Sequence, residues 1–169
     1  MADLANRSTL FKAFGIGMLL AALGLGGYTY FGSSGTYQAV DGSDLPAITV
    51  YKSPTCGCCS KWIDHLRKNG FTVRAQNVES RAALQQKHNI PRMMGSCHTG
   101  VVEGYVVEGH VPAQDVARLL REKPDIAGLT VPGMPVGSPG MEQGDRFDPY
   151  AVMAFTDDGR AAVFSRYED

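Results

Sequence analysis

From residue 48 onward, short apolar runs alternate with amphipathic stretches, and the spacing sets out an ordered series of elements. Residues 48–52, Ile-Thr-Val-Tyr-Lys, predict a buried strand. Ile63 and Leu66 fall four and seven residues beyond Cys59, on one face of a helix beginning at Ser60, so Cys59 is expected to point inward. Asn69-Gly70 stops that helix, and residues 71–75 resume an extended run, completing a β-α-β unit. Residues 80–88 predict a short helix with Ala82, Ala83 and Leu84 as weak core contributors, ended by Ile90-Pro91. Two strands, 99–102 and 105–107, flank the hairpin signal Glu103-Gly104. A helix over 112–122 follows, with Val116, Leu119 and Leu120 at i, i+3 and i+4 and Pro112 tolerated in its first turn. Residues 128–141 carry so many glycines and prolines that they predict an extended loop, bearing Met134 and Met141. A final hairpin pairs 151–155 with 161–164 across Asp157-Asp158-Gly159.

The order β-α-β-α-β-β-α resembles the thioredoxin fold, an α/β class with a mixed sheet flanked by helices, here extended by a C-terminal loop and β-hairpin. Upstream the pattern changes. Residues 13–31 form an uncharged apolar run of 19 residues, long enough to span a hydrocarbon core of about 30 Å. Lys12 at its head, and Asp41 and Asp44 beyond its tail, favour a cytoplasmic N-terminus and an exported domain. A cleaved signal peptide is the rival, but no small-x-small cleavage site closes the run. The expected parts are a membrane anchor or signal segment over 1–33, a flexible linker over 34–46 rich in Gly, Ser and Asp, and a thioredoxin-like domain over 47–169.

Composition then narrows the function. At 169 residues and 44% hydrophobic, the chain can build one ordinary core without a disulfide scaffold. A net charge of −1 with no basic patch argues against nucleic acid.

The chemistry is concentrated at Cys56-Gly57-Cys58-Cys59, three sulfurs within four residues at a strand-to-helix junction. Thiolate sulfur is soft and suits Cu(I) or zinc, and a helix N-terminus favours the thiolate over the thiol. Cys56 and Cys59 have the spacing of a dithiol exchanger; Cys58 is a third sulfur such an exchanger does not need. Cys97, in Gly95-Ser96-Cys97-His98-Thr99, is a fourth if the fold brings it near. His98 adjoins it, although in an extended strand the two side chains would face opposite ways. His110 stands before a helix start, where capping competes with a supporting role beside a metal. Met134 is the leading thioether candidate; Met93, Met94 and Met141 compete with ordinary gap filling.

Tyr51-Lys52-Ser53-Pro54-Thr55-Cys56-Gly57-Cys58-Cys59, Gly95-Ser96-Cys97-His98-Thr99 and Gly104-Tyr105-Val106-Val107-Glu108-Gly109-His110-Val111-Pro112 resemble, in that order, the periplasmic CopG-type copper-resistance proteins, long known only as a domain of unknown function. The resemblance runs from about Ile48 to Glu142 and implies a thioredoxin-like fold and copper held as Cu(I) on Cys56, Cys58, Cys59 and Cys97. It also implies a place among the copper-handling and redox proteins of the periplasm.

Three readings therefore compete. An exported protein holding one or several Cu(I) ions ranks first, ahead of a single tetrahedral zinc, which four thiolates would also satisfy. In a redox extension, Cys56 and Cys59 would cycle between disulfide and copper-thiolate, making the protein a copper oxidoreductase. The second reading is a periplasmic thiol-disulfide oxidoreductase. The third is an interaction domain without metal, stabilised by a disulfide from Cys97 to a motif cysteine.

Overall fold

The computed structural model describes residues 45–168. The expected anchor over 13–31 and most of the linker lie outside the described residues. Among the described residues no helix is long and apolar enough to cross a membrane.

Eleven elements follow one another: β1 (Ile48–Lys52), α1 (Gly57–Lys68), β2 (Val73–Asn77), α2 (Arg81–Lys87), a single 3-10 turn (Arg92–Met94), β3 (His98–Val102), β4 (Tyr105–Gly109), α3 (Ala113–Glu122), β5 (Gly128–Val131), β6 (Tyr150–Phe155) and β7 (Ala161–Tyr167). The strands form one mixed seven-stranded sheet in the order β2-β1-β3-β4-β5-β6-β7. Two pairs are parallel, β1 with β2 and β4 with β5, and each is joined by a crossover helix, α1 and α3 respectively. The other neighbours are antiparallel, and β6 and β7 slip register between Val152 and Met153.

Periodicity explains the core. Cys59, Trp62, Ile63 and Leu66 line the buried face of α1, and Val116, Leu119 and Leu120 that of α3. Both helices pack with Ile48, Val50, Val107, Leu129 and Val152 in one cluster. A smaller cluster of Ile90, Val106 and Phe155 lies across the sheet, since Val106 and Val107 project from opposite faces of β4. α2 contributes no buried residue.

Two expectations are corrected. α1 begins at Gly57, because the sulfur of Cys56 accepts a hydrogen bond from the Cys59 N–H at 3.3 Å and caps the helix. The predicted loop over 128–141 also opens with a strand: Leu129, Thr130 and Val131 are fully buried and pair with β4 and β6. Gly128 permits this, for a Cβ there would meet the Val106 carbonyl oxygen at 2.0 Å.

Candidate metal centre

β1 ends in the turn that delivers Cys56 to the head of α1, and the loop before β3 delivers Cys97 from the neighbouring strand. The sulfurs of Cys56, Cys58, Cys59 and Cys97 all lie within 4.8 Å of one another. Cys56 and Cys59 are joined as a disulfide; Cys58 and Cys97 are free thiols. Cys58 Sγ stands 3.5 Å from Cys56 Sγ and 4.0 Å from Cys97 Sγ. Cys59 is fully buried, as its place on the apolar face predicts, while the other three sulfurs belong to half-buried residues. The bridge present falls within the motif, and Cys97, which the third reading would join to a motif cysteine, is a free thiol in this state.

Two imidazoles back Cys97 from the protein interior. His98 Nδ1 lies 3.1 Å and His110 Nε2 3.2 Å from its sulfur. Strand alternation does not separate Cys97 from His98, because Cys97 precedes β3 and is not held to its pleat. His110 Nδ1–H donates to the Pro139 carbonyl at 2.8 Å, which leaves the Nε2 lone pair facing the Cys97 thiol. His98 Nδ1–H then donates to that sulfur, and Nε2 is a buried nitrogen without a partner. Burial, and then neighbouring His110, hold His98 neutral down to about 3; burial lowers His110 as well. Burial, and then the competing charge of Cys58, push the Cys97 thiol up to about 12.

The segment 96–99 is fixed by groups that the sequence pattern did not single out. Glu108 is fully buried on β4 opposite Thr99. Its carboxylate accepts from the Ser96 N–H at 2.6 Å, the Thr99 hydroxyl at 2.6 Å and the Gln85 amide at 2.8 Å. These bonds grip the chain on both sides of Cys97-His98. Arg81 donates to the Ser96 carbonyl, so α2, which buries nothing apolar, serves as a polar brace for this loop. The legible signal was a lone glutamate in the apolar run of β4.

Residues 138–142 close the outer side. Gly140 has φ +88, and a Cβ there would meet the Cys58 carbonyl oxygen and the Trp62 nitrogen, each at 2.9 Å, so only glycine lets this strap lie against the first turn of α1. Between strap and helix runs a cavity of about 270 Å³ lined by Gly57, Cys58, Lys61, Gly140, Met141, Glu142 and Gln143. Met141, rather than Met134, flanks Cys58 there; Met134 stands 40% exposed on a turn.

Comparison with known proteins resolves the family. Residues 94–141 match the family described as "Protein of unknown function, DUF411", a stretch holding Cys97, His98, His110 and the strap. Two solved structures, "Copper resistance protein copG- Form 2" and "Copper resistance protein copG- Form 1", are 50% and 49% identical, each with a TM-score of 0.71. The alignments cover 74% and 75% of this chain and 100% of those chains. The chain belongs to the CopG copper-resistance family. No curated protein matches it. The CopG assignment gives the sulfur cluster a chemical context, since four soft donors converge in a protein whose relatives are named for resistance to a soft metal.

Proposed function

We propose that this is an exported copper-handling protein that holds Cu(I), its cargo, on Cys56, Cys58, Cys59 and Cys97. The observation that carries the reading is the convergence of those four sulfurs within 4.8 Å. The strand order β2-β1-β3-β4, with α1 and α3 packed in one core, supports a thioredoxin-like domain placing the motif at a helix N-terminus. Copper loading requires reduction of the Cys56–Cys59 bridge, which converts one disulfide into two thiolate donors. Loss of the Cys97 proton is the costly part, because burial favours its neutral form; a bound cation reverses that preference. Bridging sulfurs accommodate more than one copper ion. Residues 13–31 would tether the domain to the inner membrane, on the periplasmic side, among copper-handling and redox proteins.

The disulfide gives a second reading support: a thiol-disulfide oxidoreductase whose active pair is Cys56 and Cys59. One experiment separates them. The full chain in detergent, reduced and kept anaerobic, is titrated with Cu(I), and bound metal is counted against free thiols. Copper-thiolate chemistry predicts tight uptake with loss of thiol reactivity, and a lower stoichiometry or affinity for Cys58→Ser. Disulfide exchange alone predicts reductase activity that survives Cys58→Ser and disappears in Cys56→Ser. Absence of tight uptake by the reduced wild-type chain would refute the copper reading.

A further inference from the structure

Four cysteines admit three pairings into two disulfides. Joining Cys58 to Cys59 would bridge neighbours whose Cα atoms are held about 3.8 Å apart, inside the usual lower limit of about 4.4 Å for a disulfide. Joining Cys56 to Cys58 would leave Cys59, fully buried and with its sulfur 3.5 Å from the Cys97 carbonyl oxygen, to pair with Cys97. The remaining pairing starts from the bridge already present, Cys56–Cys59, and leaves Cys58 and Cys97.

Those two thiols lie 39 residues apart in sequence and 4.0 Å apart in space. Cys97 is held toward Cys58 by the two imidazoles behind it, and Cys58 opens on the cavity beneath the strap, where an oxidant can reach it. We propose that Cys58 and Cys97 form a second dithiol-disulfide couple, so that the reduced site stores two electron pairs instead of one.

In the step, two S–H bonds break and one S–S bond forms. Two protons leave to solvent, and two electrons pass to two Cu(II) ions, each becoming Cu(I). A two-electron thiol oxidant such as diamide serves equally, its N=N bond taking up both electrons and both protons. The copper version rests on the copper-handling reading above, whereas the sulfur couple can be tested without metal.

The full chain in detergent is first reduced, then treated with diamide without copper, unfolded, alkylated and mapped by tandem mass spectrometry. The expected result is no alkylated cysteine and a cross-linked peptide joining Cys58 to Cys97. The Cys56→Ser/Cys59→Ser double variant, checked for folding by circular dichroism, should form the same cross-link. Alkylation of both Cys58 and Cys97 beside an intact Cys56–Cys59 bridge, or a bridge from Cys97 to another cysteine, would overturn the proposal. Reduced chain is then given excess Cu(II) anaerobically, and Cu(I) is counted with a chelating dye. Two couples predict about four Cu(I) per wild-type chain and about two for Cys97→Ser, one for each electron of a two-electron couple. A cross-link formed by diamide without reduction of Cu(II) would uphold the couple and remove copper as its oxidant.

Discussion

The two sides of the sulfur cluster are anchored by different physics. Cys56, Cys58 and Cys59 ride on α1, whose hold on the protein is the burial of Trp62, Ile63 and Leu66. Cys97 rides on a loop whose hold is hydrogen bonding to Glu108 and Arg81, with imidazoles behind it. Apolar burial is non-directional and scales with area, so the α1 side tolerates small changes of shape. A buried polar anchor works only while every partner is present, because each orphaned group costs its own desolvation. A single polar atom can therefore displace Cys97, whereas α1 must lose much of a side chain before the motif moves.

The largest test of this contrast is Trp62→Ala. Trp62 is fully buried and its indole N–H donates to the Val111 carbonyl at 2.8 Å. Its truncation should cost about 3–5 kcal/mol, measured by urea unfolding, and weaken the whole domain. Glu108→Ala should cost about 2–4 kcal/mol, since it strands the Ser96 N–H, the Thr99 hydroxyl and the Gln85 amide. Unlike Trp62→Ala, it should also speed alkylation of Cys97 relative to Cys58 under native conditions. Glu108→Gln, which keeps an acceptor oxygen, should recover much of both effects. Equal acceleration at both thiols in Glu108→Ala would remove the distinction between the anchors.

A third effect follows from protons. His98 is held near 3 in the folded protein, against about 6.5 in an unfolded chain, so acid favours unfolding. The stability that neutral His98 allows is complete above about 6.5 and declines as pH falls from there toward 3. His98→Phe keeps a ring beside Trp62 and titrates nothing; melting temperatures across that window should fall less steeply than in wild type. The smallest effect is expected from Arg81→Ala, about 1 kcal/mol, with faster hydrogen exchange confined to α2 and the 95–97 loop.

How far the sequence foretold this arrangement follows the same division. The apolar side was legible: the spacing of Cys59, Ile63 and Leu66 gave the inward face of α1, and the periodicity of Val116, Leu119 and Leu120 gave α3. The start of α1 was misplaced because apolar spacing does not report a cap made by sulfur. β5 was hidden by the glycine that opens it and by the Pro132-Gly133 after it, although Leu129-Thr130-Val131 is itself strand-forming. The four cysteines were readable as candidates, but their meeting depended on β1 and β3 being neighbours. Of the polar anchor only the lone Glu108 in the apolar run of β4 was readable, since hydrogen bonds among Glu108, Thr99, Ser96 and Gln85 leave no periodic trace. Cys97 lies in the loop before β3 and so meets the side chain of His98, where strand alternation predicts opposite faces.

Trp62 is the only tryptophan in the chain. It is three residues beyond Cys59, sealed from water, with its ring 4.3 Å from that of His98, which in turn touches Cys97. The protein thus carries one indole fluorophore, placed against the wall of its own sulfur cluster. Disulfides, protonated imidazoles and copper ions all quench indole emission at short range, so each change of state at the site should be visible as light from a single buried ring, without a label and without a background from any other indole.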